Sequence, residues 1–276
     1  MFKFSFYDGD KSAGSDGDRP TGHPVTRLAI QEHPVPASPL LPSNEVSTLS
    51  LCGHQIKLLN GDQVILRLER EGAAGDLSLA LKSHTDLIPD VYEGGMKLWE
   101  CSQDLVAYLD AHVPLAGLRV TELGCGAALP AVFCLLRGAA AVTVQDYNRE
   151  VVDHLTIPNM RLNVTATQLA GCRALSGDWG ALAALLRTER RPGADLVLTS
   201  ETIYSRESWA RLLEAVDAAL APAGSALVAA KTCYFGVGGG TRAFEQAVLE
   251  DGRFSSEVVF ATQQGLQREI LRLKRC

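Results

Sequence analysis

The sequence predicts an α/β fold: a mostly parallel sheet with a C-terminal antiparallel hairpin, preceded by a small N-terminal β-rich extension. Three observations carry this. From residue 118 onward, short apolar runs alternate with stretches of helical spacing, the pattern of repeated β/α units. A glycine loop joins the first of those runs to its helix. The last two apolar runs are separated only by a short turn at Gly265, so no crossover helix fits between them and they must pair antiparallel.

At 276 residues, 46% hydrophobic and 21% charged, the chain has the composition of one globular domain with an appendage. The Gly period, heptads or charge excess of collagen-like, coiled-coil or wholly disordered chains are missing. Lys and Arg number 26 against 32 Asp and Glu, a formal charge of −6. That balance gives no whole-chain basic field for nucleic acid and suits a basic protein partner better. The seven cysteines are scattered and contain no CxxC pair, which reads as reduced thiols in a cytosolic or nuclear protein and not as a disulfide frame or zinc site. The start of the chain turns acidic before an apolar signal region forms, and no later apolar run spans a bilayer without a charge. Neither secretion nor membrane insertion is expected.

Taken in order, residues 1–44 are rich in Gly, Ser, Pro and Asp without an apolar period, and a disordered tail is expected there. Residues 45–84 form the β-rich extension. Its apolar clusters (Leu49, Leu51; Ile56, Leu58, Leu59; Val64 to Leu68) are broken by Cys52-Gly53 and Asn60-Gly61-Asp62, the punctuation of a small β-meander. Residues 85–276 form the main domain. After Glu93-Gly94-Gly95 a helical face of Leu98, Leu105, Val106 and Leu109 runs to about Ala111. Strands follow at Leu118 to Leu123, Ala140 to Gln145, Cys172 to Leu175, Leu196 to Thr199 and Ala226 to Ala230. Between and after them come helices at Ala128 to Leu136, Arg149 to Leu162, Trp179 to Arg187, Glu207 to Leu220 and Thr241 to Leu249. The hairpin is Ser256 to Ala261 with Gln267 to Leu273. Right-handed crossovers put every parallel strand's carboxyl end on one sheet edge, where ligands of such folds bind.

At that edge the first strand runs into Glu122-Leu123-Gly124-Cys125-Gly126-Ala127-Ala128-Leu129. Gly124 and Gly126 let the backbone turn tightly beside a ligand, and the helix start offers free N–H groups. Leu129 stands where the dinucleotide fingerprint has its third glycine, which argues against a dehydrogenase. Glu122 before the loop suits a ligand carrying an ammonium group. Asp146, about 20 residues past the glycines, is placed to accept ribose hydroxyls; its alternative role is a helix cap.

This strand-Glu-x-Gly-x-Gly-helix-strand-Asp order with a closing hairpin resembles the seven-strand, Rossmann-like S-adenosylmethionine-dependent methyltransferases, from about Thr85 onward. The segments Val91-Tyr92-Glu93-Gly94-Gly95-Met96-Lys97-Leu98-Trp99-Glu100-Cys101, Ser176-Gly177-Asp178-Trp179, Leu198-Thr199-Ser200-Glu201-Thr202-Ile203-Tyr204 and Tyr234-Phe235-Gly236-Val237-Gly238-Gly239-Gly240 narrow it. Together they are similar to the protein-histidine N-methyltransferases that modify a large-subunit ribosomal protein. The resemblance implies S-adenosylmethionine as cofactor. It puts Leu98, Trp99, Glu100, Cys101 and Ser102 beside the methionine portion, Gly124 beneath it, and Asp146 and Tyr147 at the ribose. Gly177, Asp178 and Trp179 would frame the adenine, with Ser200 on the floor. The loop departs from the family at Ala127-Ala128-Leu129-Pro130, where relatives often have Ser-Gly-Leu.

Methyl transfer to histidine needs a neutral imidazole held in one tautomer, so a side chain must accept the proton of the other ring nitrogen. Candidates at the sheet edge are Glu201, Tyr204 and Asn148, with Glu201 favoured; capping the helix near Ser205 is its alternative role. The run Gly236 to Gly240 would admit a substrate backbone or hinge a lid. The six histidines lack metal-ligand spacing, and no metal site is expected. Expected partners are a protein substrate of the large ribosomal subunit, met by a monomer in the cytoplasm or nucleus, the nucleolus included. Two other functions stay open: a protein-lysine methyltransferase, since Glu201-x-x-Tyr204 is similar to that group's acidic-x-x-Tyr motif, and a non-catalytic ribosome-assembly or translation factor.

Overall fold

The computed structural model describes residues 28–36, 38, 45–75, 77–78, 88, 91–263 and 265–276. Much of the expected tail therefore lies outside the described residues. The part that is described differs from the expectation: Gln31–His33 forms a strand, β1, paired antiparallel with β6 (Cys172–Ser176). Side chains hold it there. His33 is buried and bonded to Asp153 (2.7 Å) and Ser176 (2.8 Å), while Arg173 is clasped between Glu32 and Glu189. A three-residue strand has no period, and its partners lie more than a hundred residues away in sequence, so local patterning does not reveal it.

In the extension, where the sequence predicts a small β-meander, β2 (Val46–Leu51) and β3 (His54–Leu59) pair antiparallel as a hairpin. The third cluster is a helix, α1 (Gly61–Glu71), and not a strand. Asn60-Gly61-Asp62 acts as a helix start: the Asn60 side chain accepts from the Gln63 N–H at 3.2 Å, and Asp62 sits in the first turn, where an acidic side chain complements the helix dipole. Val64 and Leu68, one turn apart, are the buried pair. The hairpin docks on the main domain through β3, whose Leu59 and Lys57 N–H groups donate to Asn159 and Asn163 at 2.8 Å each.

The main sheet follows the predicted alternation. After α2 (Glu100–His112), the parallel strands are β4 (Arg119–Leu123), β5 (Ala141–Asp146), β6, β7 (Ala194–Ser200) and β8 (Leu220–Lys231). β9 (Phe254–Ala261) and β10 (Arg268–Arg275) close the sheet antiparallel. The strand order is β1-β6-β5-β4-β7-β8-β10-β9. β8 begins at Leu220, six residues before the expected Ala226, and its pairing with β7 shifts register across the segment that holds Pro222 and Gly224.

Each strand alternates its core residues between two faces, as a pleated strand must. Val142 and Val144, Leu196 and Leu198, and Leu227 and Ala229 face one core with α2, α3 (Leu129–Leu136) and the helical segment Ile157–Asn163. Val197, Val228, Leu271 and Leu273 face the other, with helices Trp179–Thr188, Trp209–Ala219 and Thr241–Asp251. The helix after β5 begins at Arg149–Val151 and passes through a π-helical turn, Val152–Thr156, before Ile157–Asn163. The sheet order reverses at β4, flanked by β5 and β7, and the crevice outside such a reversal is where open α/β sheets bind ligands.

Candidate active site

A cleft of about 840 Å³ opens at that reversal. Its floor is the loop after β4. Gly124 and Gly126 have left-handed backbone (φ +62° and +47°), and neither has room for a side chain. A Cβ on Gly124 would lie 2.5 Å from Thr202 Cγ2, and one on Gly126 would lie 2.9 Å from the Gly95 carbonyl oxygen. The loop is pinned from below. Thr156 in the π-helical turn donates to the Gly126 carbonyl at 2.6 Å, a use of the widened turn found at many functional sites.

Asp146 ends β5 with its carboxyl buried on the cleft wall. Oδ2 accepts from Gly126 N–H (2.8 Å) and Oδ1 from Asn148 N–H (3.3 Å). Burial raises its pKa to about 6, with backbone N–H groups opposing the rise. Beside it the buried Gln145, which sequence reasoning passed over, ties three walls together. It donates to Gly177 O (2.8 Å), accepts from the Trp179 indole N–H (2.8 Å) and accepts a longer bond from Gly124 N–H (3.5 Å). The indole is thus set as one wall of the cleft. Asp178 lines the same end: Oδ1 caps the helix Trp179–Thr188 through Gly180 N–H (2.8 Å), and Oδ2 faces the Arg211 guanidinium at 3.3 Å.

Of the predicted residues, Leu98, Trp99, Ser102, Gly124, Gly126, Asp146, Tyr147, Gly177, Asp178, Trp179, Ser200, Glu201 and Tyr204 line the cleft. Four do not. Glu100 begins α2 and turns outward to Arg268 (3.6 Å). Cys101 is wholly buried behind the wall, its thiol raised by burial and by the Glu201 carboxylate. Asn148 is buried as a brace, its amide donating to Val91 O (2.7 Å) and accepting from Glu93 N–H (3.3 Å). Glu122 lies under the loop, where Oε2 accepts from Ala131 N–H (2.8 Å) at the start of α3.

Burial pushes the Glu122 pKa up to about 8. A carboxyl raised in the folded state binds its proton there while the unfolded chain has released it, so stability falls as pH rises from the ordinary carboxylate value toward 8. Glu122→Gln keeps the acceptor for Ala131 and removes the titration. Urea unfolding at pH 5.5 and 7.5 should show the variant gaining on the parent by up to about 1.4 kcal/mol per pH unit. A constant difference between the two pH values would contradict this placement of Glu122.

On the opposite wall Glu201 has left-handed backbone (φ +59°), uncommon for a residue with a side chain. Its carboxyl turns inward. Oε2 accepts from the Tyr234 hydroxyl (2.5 Å), and Oε1 faces the Lys231 ammonium at 3.2 Å. Lys231 is itself buried, 5.4 Å from the centre of the Trp99 ring. Tyr204 instead reaches across the cleft, its hydroxyl donating to Glu93 Oε2. The glycine run Gly236 to Gly240 braces this turn. A Cβ on Gly239 would lie 2.2 Å from Ile203 O, and Gly240 N–H donates to that carbonyl at 3.2 Å. Glu93, with Gly94 and Gly95, also lines the cleft, a placement that the sequence motif does not reveal by itself.

These groups suit S-adenosylmethionine. The Gly124–Gly126 loop lines the cleft on a left-handed backbone that favours glycine, Asp146 presents a carboxylate for vicinal hydroxyls, and Trp179 presents a flat face for a base. Among the described residues there is no group of three or more His, Cys, Asp or Glu able to hold a metal ion, and no helix long and apolar enough to cross a membrane.

Residues 84–235 match a family described as lysine methyltransferase. Among individual proteins, "Histidine protein methyltransferase 1 homolog" from Dictyostelium discoideum is 42% identical over 196 residues, covering 70% of this chain and 62% of the relative. The bovine protein of the same name is 34% identical over 274 residues, covering 91% and 73%. The match spans about three fifths of the length of the Dictyostelium, rat and mouse relatives. A solved structure from Streptococcus mutans, described as a candidate SAM-dependent methyltransferase, superposes with a TM-score of 0.55 over 85% of this chain and 56% of the other at 12% identity, a likeness of fold. The chain belongs to the lysine methyltransferase family and, within it, to the histidine protein methyltransferases.

Proposed function

We propose that this chain transfers a methyl group from S-adenosylmethionine to a ring nitrogen of a histidine in a protein of the large ribosomal subunit. The observation that carries the reading is the meeting of the Gly124–Gly126 loop, the Asp146 carboxyl and the Trp179 face around one cleft at the sheet reversal. When bound, S-adenosylmethionine supplies an electrophilic methyl group on sulfur. The chain's own part is to position and to exclude water. Asp146 would hold the ribose hydroxyls, Trp179 the adenine face, and the loop carrying Trp99 and Ser102 the methionine end. Membership in the histidine protein methyltransferases supports the acceptor. The formal charge of −6 supports a basic partner protein, which a monomer would meet in the cytoplasm or nucleus.

The spacing of Glu201 and Tyr204 on one wall favours lysine as the second reading. Lysine, however, must lose a proton before it can attack, and a wall carboxylate facing its ammonium would assist. Glu201 is turned inward to Lys231 and Tyr234, so that role would fall to Glu93 on the same cleft, and it is the likeness to histidine protein methyltransferases that supports histidine over lysine.

The test is transfer of isotope-labelled methyl into ribosomal protein from cells lacking this chain, followed by amino-acid analysis. Label in methylhistidine of a large-subunit protein is the expected result. Label in methyllysine would move the assignment to the second reading, and cofactor binding without transfer to any protein would support a non-catalytic factor.

A further inference from the structure

We propose that Glu93 is the side chain that accepts the ring N–H of the substrate histidine and so selects its reactive tautomer. The proposal rests on the histidine methyltransferase reading above and replaces Glu201 in the role expected from the sequence.

Four carboxylates stand on the cleft wall: Glu93, Asp146, Asp178 and Glu201. Three are turned into the protein's own framework. Asp146 holds the glycine loop through Gly126 N–H, and Asp178 caps a helix and faces Arg211. Glu201 is buried against Lys231 and Tyr234. Glu93 is built differently. It projects from the loop ahead of α2 and accepts from Tyr204, which stands on the turn after β7, so the pair bridges the cleft from one wall to the other.

Its backbone is fixed from behind. Asn148 accepts the Glu93 N–H, and the next residues, Gly94 and Gly95, are buried, with a Cβ on Gly95 falling 3.1 Å from Asp146 Oδ1. The bond from Tyr204 orients the carboxylate at the cleft, and the two oxygens of a carboxylate offer about four acceptor positions in all.

The chemistry asks for such a group. The lone pair of one ring nitrogen forms the new N–C bond while the C–S bond breaks and its electrons stay on sulfur, leaving a neutral thioether. The positive charge passes to the ring, whose other nitrogen still carries its proton, and that proton then leaves to solvent. A carboxylate bonded to that N–H both fixes which nitrogen attacks and stabilises the charge that appears there.

The test uses the histidine-bearing protein that the parent enzyme methylates, with Glu93→Gln and Glu93→Ala. Turnover, the ratio of the two methylhistidine ring isomers, and S-adenosylhomocysteine binding by calorimetry are read for each. Expected in the Ala variant are a fall in kcat of about 100-fold and a mixture of ring isomers where the parent gives one. Expected in the Gln variant is a smaller fall with the parent isomer kept, because its amide oxygen still accepts, and in both a Kd for S-adenosylhomocysteine changed by less than about threefold. A merely structural role would not move the isomer ratio. Parent-like kcat with a single isomer in the Ala variant, which has no acceptor, overturns the proposal. So does lost S-adenosylhomocysteine binding in a folded variant whose kcat at saturation is kept, which would make Glu93 a cofactor ligand. If the parent methylates no histidine, the functional reading itself fails before any variant is compared.

Discussion

Asp146→Ala should weaken S-adenosylhomocysteine binding by about 10²- to 10⁴-fold while leaving a folded protein. The carboxylate is proposed to accept both ribose hydroxyls, and a hydrogen bond to a charged group contributes about 1.5–3 kcal/mol, so losing two amounts to about 3–6 kcal/mol. The substitution also removes the acceptor of Gly126 N–H, so part of the loss comes through the floor loop. Asp146→Asn separates the two effects, because its amide oxygen can still accept from Gly126. Acid should mimic the variant. The Asp146 pKa stands at about 6, and ribose hydroxyls are held better by the anion, so affinity should fall as pH drops below 6, by up to about tenfold per unit. Titration calorimetry between pH 5 and 8 checks both statements. An alanine variant binding within about threefold of the parent would put the ribose elsewhere.

The largest effect on stability is expected at Lys231. It is the cation facing a buried carboxylate, Glu201, and removing one member of a buried ion pair strands the other. Lys231→Met should destabilise the protein by about 3–5 kcal/mol. Adding Glu201→Gln to that variant should restore much of the loss, since no charge is then left buried and the amide can still meet the Tyr234 hydroxyl. Urea unfolding of parent, both single variants and the double variant measures the coupling. A loss below about 1 kcal/mol for Lys231→Met would mean that water or another group solvates Glu201. The pair also holds the turn on which Glu201 has left-handed backbone, and that turn carries Thr202 against Gly124. The floor of the cleft should loosen along with the fold.

What was legible in the sequence is what local pattern controls. Alternating apolar periods placed the parallel strands and their helices, the lack of a helix between the last two runs identified the hairpin, and Gly124, Gly126 and Asp146 marked the ligand edge. The gaps arise where a residue's role depends on partners far along the chain. β1 is held by contacts from His33 to Asp153 and Ser176, and nothing between residues 28 and 36 announces them. Asn60-Gly61-Asp62 has the composition of a hairpin turn and of a helix start alike, and the burial of Val64 with Leu68 decides for the helix. Glu122, Glu100 and Cys101 are near the site in sequence, but helix and strand geometry point them under or away from it. Glu201 looked like an open carboxylate because its partners, Lys231 and Tyr234, come from the neighbouring strand and the loop after it. Gln145 was readable in hindsight. A polar residue beside Asp146 at the buried end of a strand needs partners, and it finds them in Gly177 and Trp179.

Methyl transfer by this chain requires that the cleft at the sheet reversal hold the cofactor. The direct measurement is calorimetric titration of S-adenosylhomocysteine into the protein and into Gly126→Val, whose side chain would press on Gly95 from a left-handed backbone position. One-to-one binding by the parent that is lost in a folded Gly126→Val is the result expected. A folded parent that takes up no ligand, or a valine variant that binds as the parent does, would contradict the placement of the cofactor in this cleft.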